Sequence, residues 1–147
     1  MTANAIELIA ACFTLVMLTF MVSVKMYLNR VREMRQKRIH PQTIATFAQI
    51  TTRLEDTQAA DNFRNLFETP VLFYALVATA LAINNTPGWL VVGCWLYVAL
   101  RVLHSVIQCT YNKVMHRFSV FITSFLLLVG VWVGLFVMLT MSGASFV

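Results

Sequence analysis

The chain has 147 residues, 59% of them hydrophobic and 12% charged, with a mean hydropathy of +0.74 and a formal net charge of +5. A water-soluble domain of that size has too little interior to hide so much apolar surface, so the composition excludes an ordinary soluble globule. Lipid offers no partner to an open backbone group, and a helix that crosses it needs about 20 mostly apolar residues.

Four stretches meet that requirement. They predict an all-α membrane protein, a four-transmembrane-helix bundle that uses residues 1–147 as one domain. The first span is expected over about residues 5–27. A secretory signal would place positive charge ahead of a short apolar core, whereas nothing before Lys25 is basic and Glu7 is acidic, so this segment reads as a mature helix. A polar link over about 28–62 follows; its part from His40 to Asn62 has no Gly and one Pro and is expected to hold a short helix leading into the second span. That span covers about 66–83, where Pro70 removes the backbone bond to the Leu66 carbonyl and predicts a kink. The run Asn84-Asn85-Thr86-Pro87-Gly88 reads as a tight turn, which makes the third span, about 89–109, antiparallel to the second. The fourth covers about 118–139 and carries Gly130 and Gly134, a small-residue pair suited to close helix contact within a chain or between chains.

Charge sets the expected orientation, because short loops rich in Lys and Arg stay on the cytoplasmic side. Of the eleven Lys and Arg residues, the first link holds Arg30, Arg32, Arg35, Lys37, Arg38 and Arg53, and the link after the third span holds Lys113 and Arg117. The N-terminus, the 84–88 turn and the tail hold none. Both termini are therefore expected on the non-cytoplasmic side of a multi-pass protein, in the inner (cytoplasmic) membrane if the source is bacterial. The positive charge is a topology signal, and nucleic acid is not an expected partner, since no soluble element carries a basic face. The run from Arg30 to Arg38 is placed to touch anionic headgroups, at about 1 kcal/mol per basic residue. Cys12, Cys94 and Cys109 lie inside spans without paired spacing and read as core residues. His40, His104 and His116 are scattered, and no metal is expected.

Polar residues at membrane depth carry the functional signal, because a charge there costs about 2.5–3.5 kcal/mol on insertion scales. Asp61, Arg64, Asn65 and Glu68 follow the i, i+3, i+4, i+7 spacing of one helix face. Arg101, His104, Ser105 and Gln108 repeat it on the third span, with Tyr97 one turn further out. Both faces lie toward the cytoplasmic end, with Arg101 roughly 12–15 Å up from Cys109 and Glu68 its expected countercharge. Such clusters serve either as hydrogen-bonded glue between helices or as a pocket for an anionic, hydrophilic ligand approached from the cytoplasm; the spacing alone leaves both open.

Three runs carry a resemblance. Arg64-Asn65-Leu66-Phe67-Glu68-Thr69-Pro70 is similar to the second-helix Asn-x-x-Glu, followed closely by Pro, of the membrane-associated proteins in eicosanoid and glutathione metabolism (MAPEG), the family of microsomal glutathione transferases and microsomal prostaglandin E synthase. Arg101-Val102-Leu103-His104-Ser105 resembles its third-helix Arg-x-x-His-Ser/Thr, and Lys25-Met26-Tyr27 resembles the end of helix one in the prostaglandin synthase. The run Val71-Leu72-Phe73-Tyr74-Ala75 looks most like the bacterial branch.

The resemblance implies a homotrimer with pockets between subunits near the cytoplasmic face. It also implies glutathione as cosubstrate, held by Arg64, Asn65, Glu68, Arg101 and His104, with Arg117 stabilising the thiolate. The implied function is a membrane-bound glutathione-dependent transferase or peroxidase acting on lipophilic electrophiles that enter from the lipid; the alternative is a non-catalytic lipid-binding or accessory trimer of the same fold. Two positions depart from the catalytic pattern. Gln108 stands where catalytic members have a Tyr, with Tyr111 nearby, and Phe118 stands where a Ser follows the arginine, with Ser119 one place on.

Overall fold

A computed structural model describes residues 2–44, 46–55 and 57–143. In chain order it contains α1 (Ala3–Lys37), a 3-10 turn (Pro41–Ile44), α2 (Phe47–Arg53), α3 (Gln58–Glu68), α4 (Pro70–Ala82), α5 (Gly88–Cys109) and α6 (Val114–Gly143), with no strand among the described residues. Four helices are long and apolar enough to cross a membrane: α1, the α3–α4 pair read through as Gln58–Ala82, α5 and α6. The protein is an all-helical, multi-pass membrane protein.

Helix ends differ from the apolar boundaries for identifiable reasons. α1 runs on through the basic link to Lys37, because Arg, Lys, Gln, Met and Leu are strong helix formers and backbone bonds propagate once a helix exists. It stops where Arg38 turns left-handed at φ 53°, and the Ile39 N–H returns to the Met34 carbonyl at 2.9 Å. The expected short helix in the link is α2, which opens on a capping box between Thr46 and Gln49. The link then folds back onto α1. The buried Glu33 carboxylate accepts the Glu55 N–H at 2.8 Å, and Lys37 Nζ sits 2.7 Å from Glu33 and 2.9 Å from Glu55.

The second span is two helices that meet at Thr69, as the missing donor of Pro70 requires. Thr69 keeps right-handed helical angles, and the Leu72 N–H bonds the Thr69 carbonyl at 3.1 Å, so the chain bends without leaving its course. Past α4, Asn84 takes φ 52° and the Asn85 N–H reaches the Ala80 carbonyl at 3.0 Å, a helix stop that Asn tolerates better than most residues. The 84–87 turn anchors the start of α1, where Asn4 Nδ2 donates to the Thr86 carbonyl at 2.7 Å. At the opposite, basic end, Lys25 Nζ donates to the Cys109 carbonyl and ties α1 to the end of α5.

α5 is the central element, packed mainly against α6 and α1. Leu8, Leu15, Phe73, Leu76, Leu90, Tyr97, Leu128 and Leu135 form the buried core, with Phe73 and Tyr97 stacked 5.0 Å apart. Cys94 is buried there, while Cys12 and Cys109 are half-buried, all three as free thiols. Phe13, Phe20, Leu126 and Phe136 point outward. Gly134 receives the Trp89 indole within the chain, whereas Gly130 has open space beside it.

The tightest approach is at Gly93, where an added Cβ would stand 2.7 Å from Val131 Cγ2. Gly93→Ala is expected to lower stability by about 1–3 kcal/mol through overpacking. The Val131→Ala background should return much of that loss, as detergent melting of the double variant would show. Additive losses would mean that α5 and α6 do not meet there.

Candidate functional site

α3, α5 and the start of α6 enclose a polar cavity of about 400 Å³ at the basic end of the bundle, walled by Asp61, Arg64, Asn65, Glu68, His104, Gln108, Val114, Arg117, Phe118 and Phe121. Asp61, Arg64, Glu68, Val114 and Phe118 on its rim are exposed. Five of the six residues that the sequence nominates, Arg64, Asn65, Glu68, His104 and Arg117, therefore share one cavity.

The two predicted faces behave differently. On α3 all four members, Asp61 to Glu68, line the cavity. On α5 only His104 and Gln108 do, and the others turn inward. Ser105 Oγ donates to Asn62 Oδ1 at 3.2 Å, and Asn62 Nδ2 donates to Cys109 Sγ at 3.3 Å. Asn65 Nδ2 meets Gln108 Oε1 at 3.0 Å. These contacts are the interhelical glue the spacing allowed, at about 0.6 kcal/mol each. Glue and pocket thus coexist along the α3–α5 seam, with Asn65 and Gln108 belonging to both.

Arg101 sits behind the cavity and is 1% exposed. Its Nε donates to Tyr97 Oη at 3.1 Å, Tyr97 passes its own proton to Thr69 Oγ1 at 3.5 Å, and the guanidinium carbon lies 5.6 Å from the Tyr97 ring and 5.1 Å from the Phe121 ring. Within the chain the expected Glu68 countercharge does not reach it, because Glu68 is exposed on the rim and Arg101 is buried behind the wall. A rim carboxylate gains more from water than from a buried partner it must desolvate to reach, and the aromatic faces supply part of the compensation. Arg101 Nη2 is left buried without a hydrogen-bond partner.

His104 is fixed from α6. Its Nδ1 lies 3.2 Å from the Arg117 carbonyl, an oxygen that can only accept, so Nδ1 carries the proton and Nε2 is left as an acceptor. Nε2 is buried, with the Gln108 side chain as its nearest polar neighbour and no hydrogen bond of good geometry. Arg117 is half-buried, and its Nη1 donates to Asn112 Oδ1 at 3.0 Å. Asn112 holds φ 47° in the reversal between α5 and α6, with its N–H on the Ile107 carbonyl at 2.9 Å, so one residue both turns the chain and orients the guanidinium.

Sequence reading missed Asn62, Asn112 and the apolar wall. Val114, Arg117, Phe118 and Phe121 obey the same i, i+3, i+4, i+7 rule as the polar faces, a signal that was available but lay in residues ordinary for a membrane helix. The substitutes near the two departures look elsewhere. Tyr111 Oη pairs with His116 Nδ1 at 3.2 Å, and Ser119 Oγ donates to the Met115 carbonyl at 2.9 Å; neither lines the cavity, whereas Gln108 and Phe118 do.

The cavity therefore presents two guanidinium groups, two carboxylates, amide groups and an imidazole ring beside an aromatic wall. Such a set fits a small zwitterionic molecule with more than one carboxylate. Comparison with the curated proteins and with the solved structures gave no match. A family model does match, over residues 8–137, nearly the whole bundle and every residue of the cavity wall. The chain belongs to the MAPEG family, membrane proteins of glutathione-dependent and eicosanoid-type chemistry.

Proposed function

We propose that the protein is a membrane-bound glutathione-dependent transferase, with glutathione as cosubstrate in the cavity between α3, α5 and α6. The observation that supports this most is the convergence of Arg64, Asn65, Glu68, His104 and Arg117 on one cavity. Glutathione offers two carboxylates, an ammonium group, amide N–H groups and a thiol. Arg64 suits a carboxylate, Glu68 and Asp61 the ammonium, and the Asn65 amide a peptide group. Arg101 adds positive potential from behind the wall.

Arg117 is assigned the thiol. A guanidinium beside sulfur favours the thiolate, which is the nucleophile. The thiol proton leaves to water. The thiolate then supplies both electrons of the new sulfur–carbon bond, and the electrophile's leaving group departs with its own pair. A hydroperoxide in place of the carbon electrophile would be reduced to an alcohol and water as two glutathione thiols become a disulfide. Val114, Phe118 and Phe121 give the lipophilic partner an apolar approach. The exposed rim supports a homotrimer in which neighbouring subunits close the cavities. The basic residues at that end support a cytoplasmic position for it.

Glu68→Gln and Arg64→Gln each remove one charge from the wall and are expected to weaken glutathione about 10–100-fold, the range of a hydrogen bond to a charged group. Calorimetric titration of the two variants checks this. Unchanged affinity in both would shift the reading to an accessory, lipid-binding trimer, which Gln108 in place of a hydroxyl also fits.

A further inference from the structure

At the basic end of the bundle, α1 is tied to the first turn of α3 through a short run of hydrogen bonds. The Glu33 carboxylate, buried on α1, accepts the Glu55 N–H at 2.8 Å and is neutralised by Lys37 Nζ at 2.7 Å. The second contact of Lys37, to the exposed Glu55 carboxylate at 2.9 Å, adds little, because a solvent-exposed pair is screened. Glu33 therefore carries the tie, since a buried carboxylate that loses its cation is strongly penalised. Beyond Glu55 the run continues. The Thr57 N–H reaches the Glu55 carbonyl at 3.1 Å, the Asp61 N–H reaches the Thr57 carbonyl at 2.8 Å, and Thr57 Oγ1 donates to Asp61 Oδ2 at 3.2 Å. It ends on the polar cavity, whose wall includes Asp61.

Thr57 stands at the N-cap of α3, where a threonine hydroxyl ordinarily accepts an N–H from the first turn, and here it caps none. Its hydroxyl is turned to the Asp61 carboxylate instead. An Asp in the first turn of a helix is ordinary, because the dipole favours it there, but the dipole leaves the carboxylate free to rotate. Thr57 fixes that rotation, and the clasp of Glu33 and Lys37 fixes the backbone from which Thr57 reaches. The far end of α3 is jointed, since Pro70 withholds one backbone bond, and the bonds of Asn62 and Asn65 seat the middle of the helix on α5. The clasp ties the remaining end to α1. We infer that Glu33, Lys37 and Thr57 are positioning residues for the Asp61 carboxylate, and that through it they set the cavity's preference for a ligand carrying an ammonium group. The inference rests on the proposed binding of glutathione, whose γ-glutamyl ammonium is the group assigned to Asp61 and Glu68.

Calorimetric titration of the detergent-purified full chain with glutathione, and with N-glutaryl-cysteinylglycine, which is glutathione without its amino group, tests the assignment. Glu33→Ala is expected to bind glutathione about tenfold more weakly than wild type, the low end for one hydrogen bond to a charged group. Its affinity for the glutaryl analogue should equal that of wild type, because the analogue offers Asp61 no ammonium. Lys37→Met is expected to act in the same direction. Thr57→Val leaves the clasp whole, should show the same selective loss, and repeats the test should Glu33→Ala fail to fold. Hydrogen exchange measured without ligand should be faster at the amides of residues 61–65 in Glu33→Ala and unchanged in α5 and α6. Equal losses for glutathione and the analogue would make the clasp a general support of the bundle and overturn the inference, as would unchanged exchange in α3. A wild type that binds neither compound would overturn the proposed function and the ammonium assignment with it, while the exchange result would still decide whether the clasp holds α3.

Discussion

Arg117→Ala is expected to abolish the thiolate absorbance of bound glutathione and to slow conjugation about 10²–10³-fold, the usual loss on removing one preorganised donor from a developing or stabilised anion. The expectation rests on how firmly the side chain is held. Asn112 fixes Nη1 at 3.0 Å, and His104 fixes the Arg117 carbonyl at 3.2 Å, so the guanidinium needs little reorganisation to face sulfur. Its place in the opening turns of α6 adds the positive end of that helix to the same field. Glutathione affinity should change far less than turnover, because Arg64, Glu68 and Asp61 are assigned its charged ends. Arg117→Lys keeps the charge but loses the planar fork, and is expected to fall between wild type and Arg117→Ala. Single-turnover rates beside equilibrium titration separate the two effects. Equal rates in Arg117→Ala and wild type would remove Arg117 from the chemistry.

Arg101→Met is expected to have the opposite signs on stability and on binding. A guanidinium that is 1% exposed, has no carboxylate partner among the described residues and leaves Nη2 unbonded is a net cost to the folded bundle. Replacing buried charge by an apolar side chain of similar length gains about 1–4 kcal/mol in favourable cases. Tyr97 loses one donor but still gives its proton to Thr69, so the substitution orphans no group. Thermal melting in detergent should therefore show Arg101→Met at least as stable as wild type, while glutathione binds more weakly for want of the positive potential behind Phe121. A strongly destabilised Arg101→Met would show that the residue is structural glue, its pairing with Tyr97 outweighing the cost of burial.

The sequence made the spans legible because hydropathy over 20 residues is a local sum, and the bend at Pro70 legible because a missing N–H is a property of one residue. Helix extents were less so. The apolar stretch that ends near Tyr27 marks where lipid ends, whereas the helix continues to Lys37 because its continuation depends on backbone bonds and on Glu33 and Lys37 clasping the return of the link. The α3 face of the cavity could be read from four residues, since a helix fixes their common direction. Only the packing of α5 between α1 and α6 decided that His104 and Gln108 line the cavity while Arg101 and Ser105, equally buried, lie behind it. The pairing of Glu68 with Arg101 depends on the distance between helices, which spacing within each helix cannot supply. Asn112 carries a backbone reversal and a side-chain contact at once, and neither follows from its neighbours in the sequence.

The central claim is that the cavity binds glutathione. Calorimetric titration of the detergent-purified wild-type protein measures it directly. Saturable binding with a dissociation constant at or below about 1 mM, equivalent to about −4.1 kcal/mol or tighter, is the predicted result. A titration without saturable heat at several times that concentration would contradict it.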